Sequence, residues 1–278
     1  MSHQDCSGCG LCLLVCPVWQ QSRDVRLTPK GRARAIQHGA TRDDLARSTA
    51  GCSLCGACEP ACPEELPLVD MVMELRRGSA FPAMHARAKG RKRLLLAGRA
   101  LRADRDRLAR TLALLDAFDL VEDDGADIVA ALETGASISD ERLAAFLAPL
   151  AAAQRLVVAE GLLLRALRRW LPDASVSGIG EALLPAIADK LRAGDMYVIA
   201  SQAFNFEQAR LIDSYDSLRT RSGCEMNLDL QRIAMPAAGQ AHWILQGRTV
   251  ERIVVEDLAE RAAFGFAGKP VLHLAELA

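Results

Sequence analysis

The 278-residue sequence has no uninterrupted stretch of about 18 uncharged apolar residues, the minimum for a membrane-spanning helix. Its opening, MSHQDCSGCG, has neither a basic start nor an apolar segment, so no secretory signal is expected. The glycines of SVSGIGEAL do not fit the GxGxxG frame of dinucleotide-binding loops. Aromatic residues make up only 4% of the chain, and none interrupts the basic stretch AKGRKR, which argues against nucleic-acid binding. These absences predict a cytoplasmic protein without a transmembrane segment, or one held at the cytoplasmic membrane face by a partner.

Cysteine is also scarce outside two short runs. Of the nine cysteines, only Cys224 lies beyond CSGCGLCLLVCP, which starts at Cys6, and CSLCGACEPACP, which starts at Cys52. In a reducing compartment, cysteines grouped in this way are more often metal ligands than disulfides. The lone thiol of Cys224 has no neighbouring ligand and is expected to be a small packing residue.

Each run has the spacing C-x2-C-x2-C-x3-C-P, which is typical of bacterial proteins that bind 4Fe-4S clusters. A cubane presents iron at the corners of a tetrahedron, and three cysteines spaced by two residues can wrap around three of those corners. Pro17 and Pro63 favour an extended backbone at the preceding cysteine, which directs the fourth thiolate away from its own loop. The spacing therefore predicts two clusters with crossed ligation. Cys6, Cys9, Cys12 and Cys62 are expected to hold the first, and Cys52, Cys55, Cys58 and Cys16 the second.

Zinc is the competing metal. A zinc ion takes four ligands, commonly from two CxxC pairs, and would leave the third in-phase cysteine and the proline-flanked fourth of each run unexplained. The residues between the thiols also suit a cluster, because Gly8, Gly10 and Gly56 allow backbone angles that aim N–H groups at sulfur. Apolar side chains in the runs are expected to exclude water; these are Leu11, Leu13, Leu14, Val15 and Leu54.

Charge is distributed unevenly along the chain. Residues 1–95 contain 14 Lys and Arg against 9 Asp and Glu, whereas the remainder contains 20 against 26. A thiolate-bound cluster is negatively charged, so a basic surrounding would offset that charge. A solvated basic linker explains part of the excess equally well.

The pattern of apolar residues divides the chain into two parts. Residues 1–80 show helix signals and no β alternation, and are predicted to form an all-helical cysteine domain. Residues 81–93 contain proline, glycine and several basic residues, and are predicted to be a linker. From residue 94, short apolar runs alternate with helical stretches, which is typical of parallel βαβ units.

The α/β part also has a repetitive order. The stretches RLVVAEGLLLRALRRWLPDASVSGIGEAL and RIVVEDLAERAAFGFAGKPVLHLAEL both run from a strand to a helix, a break, a second strand and a closing helix. Two similar halves are therefore predicted, at about 94–187 and 193–278. The predicted fold class is an α-helical ferredoxin domain with two 4Fe-4S clusters, followed by an α/β domain made of two similar repeats.

The first 80 residues resemble the iron–sulfur subunits of glycolate and lactate oxidases, of anaerobic glycerol-3-phosphate dehydrogenase and of heterodisulfide reductases. Two features carry the resemblance: the paired cysteine runs, and the stretch TPKGRARA at residues 28–35, which looks like the PRGR segment of those proteins. The resemblance implies that this part is a two-cluster α-helical ferredoxin.

In that family the second part is a pair of CCG domains, which are cysteine-rich α/β repeats. Here LLLAG, VVAEGLLLRAL and KPVLHLAELA look similar to parts of the CCG skeleton, but the cysteines themselves are missing. ETGAS near Glu133 and MPAAGQ near Met235 stand where CCG motifs are expected. The resemblance therefore implies a degenerate CCG-like domain that binds no metal and acts as a docking scaffold.

The leading functional hypothesis is an electron-transfer subunit of an oxidoreductase (dehydrogenase) complex. A flavoprotein partner carrying FAD or FMN would oxidise a small substrate, and electrons would pass one at a time through both clusters to a quinone or another carrier. No nucleophile, acid–base pair or nucleotide loop is visible in this chain, which fits a non-catalytic subunit. Two alternatives are a self-contained thiol/disulfide oxidoreductase that uses Cys224, and an iron–sulfur sensor or assembly factor without a catalytic partner.

Overall fold

A computed structural model describes residues 3–229 and 231–277 of the chain. Its N-terminal part is helical, as the sequence predicts, and its first strand begins at Lys92. The α-helices of this part are Leu11–Leu14 (α1), Pro17–Ser22 (α2), Pro29–Gln37 (α3), Arg42–Ala50 (α4) and Leu68–Arg77 (α5).

Local sequence signals account for where these helices begin and end. Thr28 caps α3 through a hydrogen bond that its Oγ1 accepts from the Gly31 N–H, and Pro29 occupies the first helical position. Thr41 and Asp44 form a capping box at the start of α4. Helix α5 ends at Gly78, which has a φ of 75° that glycine adopts without strain.

Residues 79–91 contain no helix or strand, and they are fastened to the α/β part; the last two residues of the predicted linker 81–93 belong to the first strand. The Trp170 indole N–H donates to the Pro82 carbonyl at 3.1 Å, and the Ala86 N–H donates to the Trp170 carbonyl at 2.8 Å. The Phe81 ring stacks on the Trp170 ring with 5.6 Å between centroids. This segment is therefore packed against its neighbours and is not a free tether.

The α/β part contains two small parallel sheets. The first has the strand order β2-β1-β3-β4, with β1 at Lys92–Leu96, β2 at Asp119–Leu120, β3 at Ala153–Val158 and β4 at Ser175–Gly178. Its helices are Gly98–Ala103 (α6), Arg105–Leu115 (α7), Ala126–Thr134 (α8), Asp140–Leu150 (α9), Gly161–Trp170 (α10) and Ile179–Ile187 (α11).

The second sheet repeats the topology of the first, with the order β6-β5-β7-β8. Its strands are Asp195–Val198 (β5), Glu225–Met226 (β6), Arg252–Val255 (β7) and Val271–His273 (β8). Its α-helices are Ser201–Asn205 (α12), Gln208–Ser222 (α13) and His242–Leu245 (α14), and Leu258–Ala267 is a 3-10 helix. The shared strand order is compatible with two similar repeats, whereas their assignment to the CCG type stays a prediction.

The helical part and the first sheet share one hydrophobic core. Buried Leu54 and Val72 belong to the same cluster as Leu96, Leu156 and Trp170. The cysteine runs are therefore held on a common core with the α/β part.

No helix in the described ranges has both the length and the apolar character to cross a bilayer.

Glu256, directly after β7, is a buried carboxylate with three hydrogen-bond donors. Its Oε1 accepts from the hydroxyls of Tyr197 at 2.8 Å and Tyr215 at 2.6 Å, and its Oε2 accepts from the Ala200 N–H at 2.8 Å. Burial nevertheless raises the pKa of Glu256 to about 7, since the hydrogen bonds only partly offset the loss of hydration.

We predict that Glu256→Gln makes the stability of the protein less dependent on pH. The pKa of this carboxyl group rises from its ordinary value of 4.5 to about 7 in the fold. The folded state therefore binds more protons between these values and loses stability as pH rises from about 5 to about 8. The full loss in the free energy of unfolding is about 3 kcal/mol. The neutral amide of glutamine does not titrate, so this pH-dependent loss should be absent in the variant. Thermal unfolding of both proteins across this pH range, at equal cluster content, measures the effect; parallel profiles would contradict it.

Candidate iron–sulfur centres

The eight clustered cysteines line two separate cavities. Cys6, Cys9, Cys12 and Cys62 line the first, which we call the outer cavity. Cys16, Cys52, Cys55 and Cys58 line the second, which we call the inner cavity. In each cavity the fourth cysteine comes from the opposite run. The side chains are thus grouped as the spacing predicts, and their binding of iron stays a prediction.

The crossing of the runs has a local cause at Cys16. This residue has an extended backbone, with φ −80° and ψ 115°, and Pro17 follows it as the first residue of α2. The chain therefore changes direction between Cys12 and Cys16. Cys12 remains with its own run, whereas Cys16 joins the second run.

Glycines allow the cysteine loops to turn tightly. Gly8, Gly10 and Gly56 have φ angles of 77°, 85° and 82°, which residues with a Cβ rarely adopt. At Gly56 the α/β part also approaches closely, because a Cβ there would lie 2.8 Å from Cε1 of Phe206 and 3.2 Å from Cβ of Asn205. Gly56 is therefore required both by the turn and by the packing above it.

We predict that Gly56→Ala strongly reduces iron incorporation at the inner cavity. The added methyl group would push Phe206 and Asn205 away from the loop that carries Cys55 and Cys58. Gly39→Ala is the matched control, since Gly39 has a φ of 86° but nothing within 4 Å of an added Cβ. It should cost only the backbone strain of about 1 kcal/mol and keep its iron. Equal iron and sulfide contents in the two variants would contradict the prediction.

Of the five apolar residues expected to exclude water, two are buried, Leu13 is half-buried and two are exposed. Val15 and Leu54 are buried, as expected for side chains that exclude water. The prediction is wrong for Leu11 and Leu14, which are 46% and 55% exposed. They lie three residues apart on one face of α1, and Cys12 on the opposite side faces inward, so this face points to solvent.

The two cavities differ in their exposure. Cys9 of the outer cavity is exposed, whereas Cys16 and Cys55 of the inner cavity are each 8% exposed. The α/β part packs on the segments that line the inner cavity, because Asn205 Nδ2 donates to the Cys55 carbonyl at 2.9 Å and Gln240 Nε2 donates to the Pro17 carbonyl at 3.2 Å. Sequence reasoning missed these two residues, which are 150 and 223 positions from their partners.

The TPKGR stretch acquires a physical role in the fold. A Cβ at Gly31 would lie 2.0 Å from the Val25 carbonyl oxygen, so only glycine fits there. Arg32 follows it, is 1% exposed and lines the inner cavity. Its guanidinium donates to the neutral Ser48 side chain and to the carbonyls of Ser48 and Leu27. A buried guanidinium with neutral partners at the wall of this cavity fits an anionic occupant.

Burial favours the protonated form of the inward-facing thiols. It raises the pKa of Cys12 to about 11 and that of Cys55 to about 12, and it also raises the pKa of Cys16. Thiolates at these positions need a cationic partner, which bound iron supplies, so cluster binding and thiol deprotonation are coupled. Within the described residues, no group of three or more His, Cys, Asp or Glu side chains is arranged around a single metal ion.

Cys224 lies apart from both cavities, directly before β6. It is 2% exposed, burial raises its pKa, and its Sγ lies 3.1 Å from the Ser222 hydroxyl. A buried thiol with a raised pKa is a poor nucleophile. These properties favour the packing role over the thiol/disulfide alternative.

Comparison with protein families identifies the type of domain at the cysteine-bearing end of the chain. Residues 2–66 match the family of the 4Fe-4S dicluster domain. Neither the curated proteins nor the solved structures gave a match to this chain. The N-terminal part is therefore a ferredoxin-type domain for 4Fe-4S clusters, which supports a role in electron transfer. The matched segment is roughly a quarter of the chain and ends before α5.

Proposed function

We propose that this chain is the electron-transfer subunit of a flavin-dependent oxidoreductase complex. The observation that carries the proposal is the grouping of eight cysteines into two cavities by an exchange of the fourth cysteine. In the proposed holoprotein, Cys6, Cys9, Cys12 and Cys62 hold one 4Fe-4S cluster, and Cys52, Cys55, Cys58 and Cys16 hold the other. Such clusters supply one-electron carriers between a two-electron flavin and a further acceptor.

The outer and inner cavities would form the two ends of the proposed electron path in this chain. Cys9 opens the outer cavity to the surface, beside the exposed Leu11 and Leu14, so a partner protein can approach it closely. The loop that lines the inner cavity packs against the α/β part, where Asn205 donates to the Cys55 carbonyl and Phe206 approaches Gly56 closely. Cys12 and Cys16 belong to different cavities but are four residues apart, so their Cα atoms are at most about 14 Å apart.

The flavin-containing partner and the quinone or other carrier complete the proposed complex. The sequence has no GxGxxG frame, and the proposal places FAD or FMN in the partner subunit. The α/β part packs beside the inner cavity, and its remaining surface would serve for subunit docking, in keeping with the scaffold role that the family resemblance implies.

Anaerobic purification of the protein from its source tests this proposal. We expect about eight iron atoms per chain, acid-labile sulfide and a co-purifying yellow flavoprotein. Addition of the substrate of the flavoprotein should reduce the clusters, seen by electron paramagnetic resonance (EPR). A loaded chain that purifies without a flavoprotein would favour the sensor or assembly factor, and about two zinc ions per chain without sulfide would overturn the cluster assignment.

A further inference from the structure

Another cavity, separate from the outer and inner cavities, lies next to the inner cavity and opens to the surface. It has a volume of about 610 Å³, which is within the range of small-molecule sites. Its walls come from α4, α5, the C-terminal end of α8 and the loop Cys52–Leu54, and we call it the acceptor cavity. Cys52 and Ser53 line both cavities, so a molecule bound here would lie against a proposed cluster ligand.

One guanidinium holds the walls of this acceptor cavity together. Arg76, on α5, donates to the carbonyl of Thr49 on α4, to that of Cys52 at 2.6 Å and to that of Glu133 on α8. Arg42 donates in turn to the Arg76 carbonyl at 2.8 Å. These hydrogen bonds hold the walls of the acceptor cavity in place and put the positive charge of Arg76 beside Cys52.

The lining combines an apolar surface with a small number of polar groups. Ala46, Ala50, Leu54 and Leu75 provide the apolar surface. The Ser53 Oγ is buried, and its hydroxyl is hydrogen-bonded to the Cys55 side chain. A flat ring can pack on the apolar surface while one of its oxygen atoms accepts a hydrogen bond from the exposed guanidinium of Arg42.

We infer that this cavity binds the electron acceptor and that the acceptor is a neutral quinone; the inference rests on the proposed function. Asp43 and Glu133 also line the cavity and disfavour a phosphate-bearing carrier such as a flavin nucleotide. Arg42 and Arg76 favour a ring whose oxygens gain negative charge on reduction. Conversion of the quinone to the quinol takes up two electrons from the reduced flavin of the partner and two protons from solvent at the open mouth.

Binding of duroquinone to the anaerobically prepared, cluster-loaded chain tests this inference. Duroquinone is chosen because its four methyl groups hinder addition of any thiol that is not bound to iron. Equilibrium dialysis of the chain with oxidised clusters should show saturable binding. Duroquinone added after reduction of the clusters should reoxidise them and remove their EPR signal, with formation of the quinol. Ala46→Trp, at an exposed helix position that lines the cavity, should weaken binding at least about tenfold.

The matched control is Ala145→Trp, because Ala145 is an exposed alanine on α9 that does not line the cavity. It should bind duroquinone as the unchanged protein does. Arg42→Gln should weaken binding about tenfold without filling the cavity. Equal binding by all variants, or preferential binding of flavin mononucleotide, would overturn the inference.

Reoxidation of the reduced clusters by ferricyanide separates this inference from the proposed function. Ferricyanide reacts at the protein surface and does not need the cavity. If it reoxidises the clusters but duroquinone does not bind, the quinone site is wrong and the electron-transfer role stands. If no reducible clusters form, the proposed function itself fails.

Discussion

Replacement of Cys62 and Cys6 together by alanine should remove one iron–sulfur cluster, whereas replacement of Cys62 and Cys52 together should remove both. The reason is the exchange between the runs. Cys62 lines the outer cavity with Cys6, although it belongs to the run that starts at Cys52. Under crossed ligation, Cys62 and Cys6 bind the same cluster, whereas Cys62 and Cys52 bind different clusters. Iron and sulfide contents of anaerobically reconstituted protein should fall to about half in the first case and to near zero in the second.

Uncrossed ligation predicts the opposite outcome, so the two double variants discriminate between the ligation schemes. If each run held its own cluster, the Cys62 and Cys52 pair would lose only one. Cys224→Ala is the control for general damage, since Cys224 is buried far from both runs in sequence and lines neither cavity. It should keep its full iron content. Equal iron in the two double variants would contradict crossed ligation.

The grouping of the cysteines was predictable because it depends on local rules. The spacing of two residues limits which thiols share a loop, and Pro17 sets the direction of Cys16. The same is true of the capping box at Thr41 and the helix stop at Gly78. Each of these signals acts within a few residues, so the sequence alone contains it.

Features that depend on distant contacts escaped sequence reasoning. Strands β2 and β6 have two residues each, too few for a periodic pattern, and their place in the sheets depends on pairing with β1 and β5. The outward orientation of Leu11 and Leu14 depends on what α1 packs against. The acceptor cavity likewise combines α4, α5 and α8 around Arg76, and no motif marks that combination.

Arg165→Met should loosen the contact between the α/β part and the loop that carries the inner cysteines. Arg165 lies on α10, and its guanidinium contacts the carboxylates of Glu59 at 2.5 and 3.1 Å and of Asp70 at 3.0 Å. It also covers the Phe206 ring, 4.6 Å from the centroid. Glu59 follows Cys58 directly. Removal of the guanidinium leaves the half-buried carboxylate of Glu59 without its counter-ion, at a cost of about 3 kcal/mol, whereas Asp70 keeps its ion pair with Arg169.

Faster loss of one cluster in air is the expected observable. Asn205 and Phe206 pack on Cys55 and Gly56, so loosening of this contact should admit oxygen to the inner cysteines first. The outer cluster should decay at its usual rate. The absorbance of each variant during exposure to air, together with EPR of the remaining cluster, measures this. Arg210→Met is the matched control. Arg210 pairs with Glu181 and Glu207 but is 47% exposed, so its loss should cost less than about 1 kcal/mol.

A second substitution distinguishes the lost charge pair from lost packing. Glu59 Oε1 also accepts the Val69 N–H at 2.9 Å, and glutamine keeps that acceptor without the charge. The double variant Arg165→Met with Glu59→Gln should therefore recover part of the stability and cluster lifetime that Arg165→Met loses. No recovery would assign the effect to the contact between Arg165 and Phe206. Recovery would mean that the buried charge beside Cys58 couples the α/β part to the inner cysteine loop.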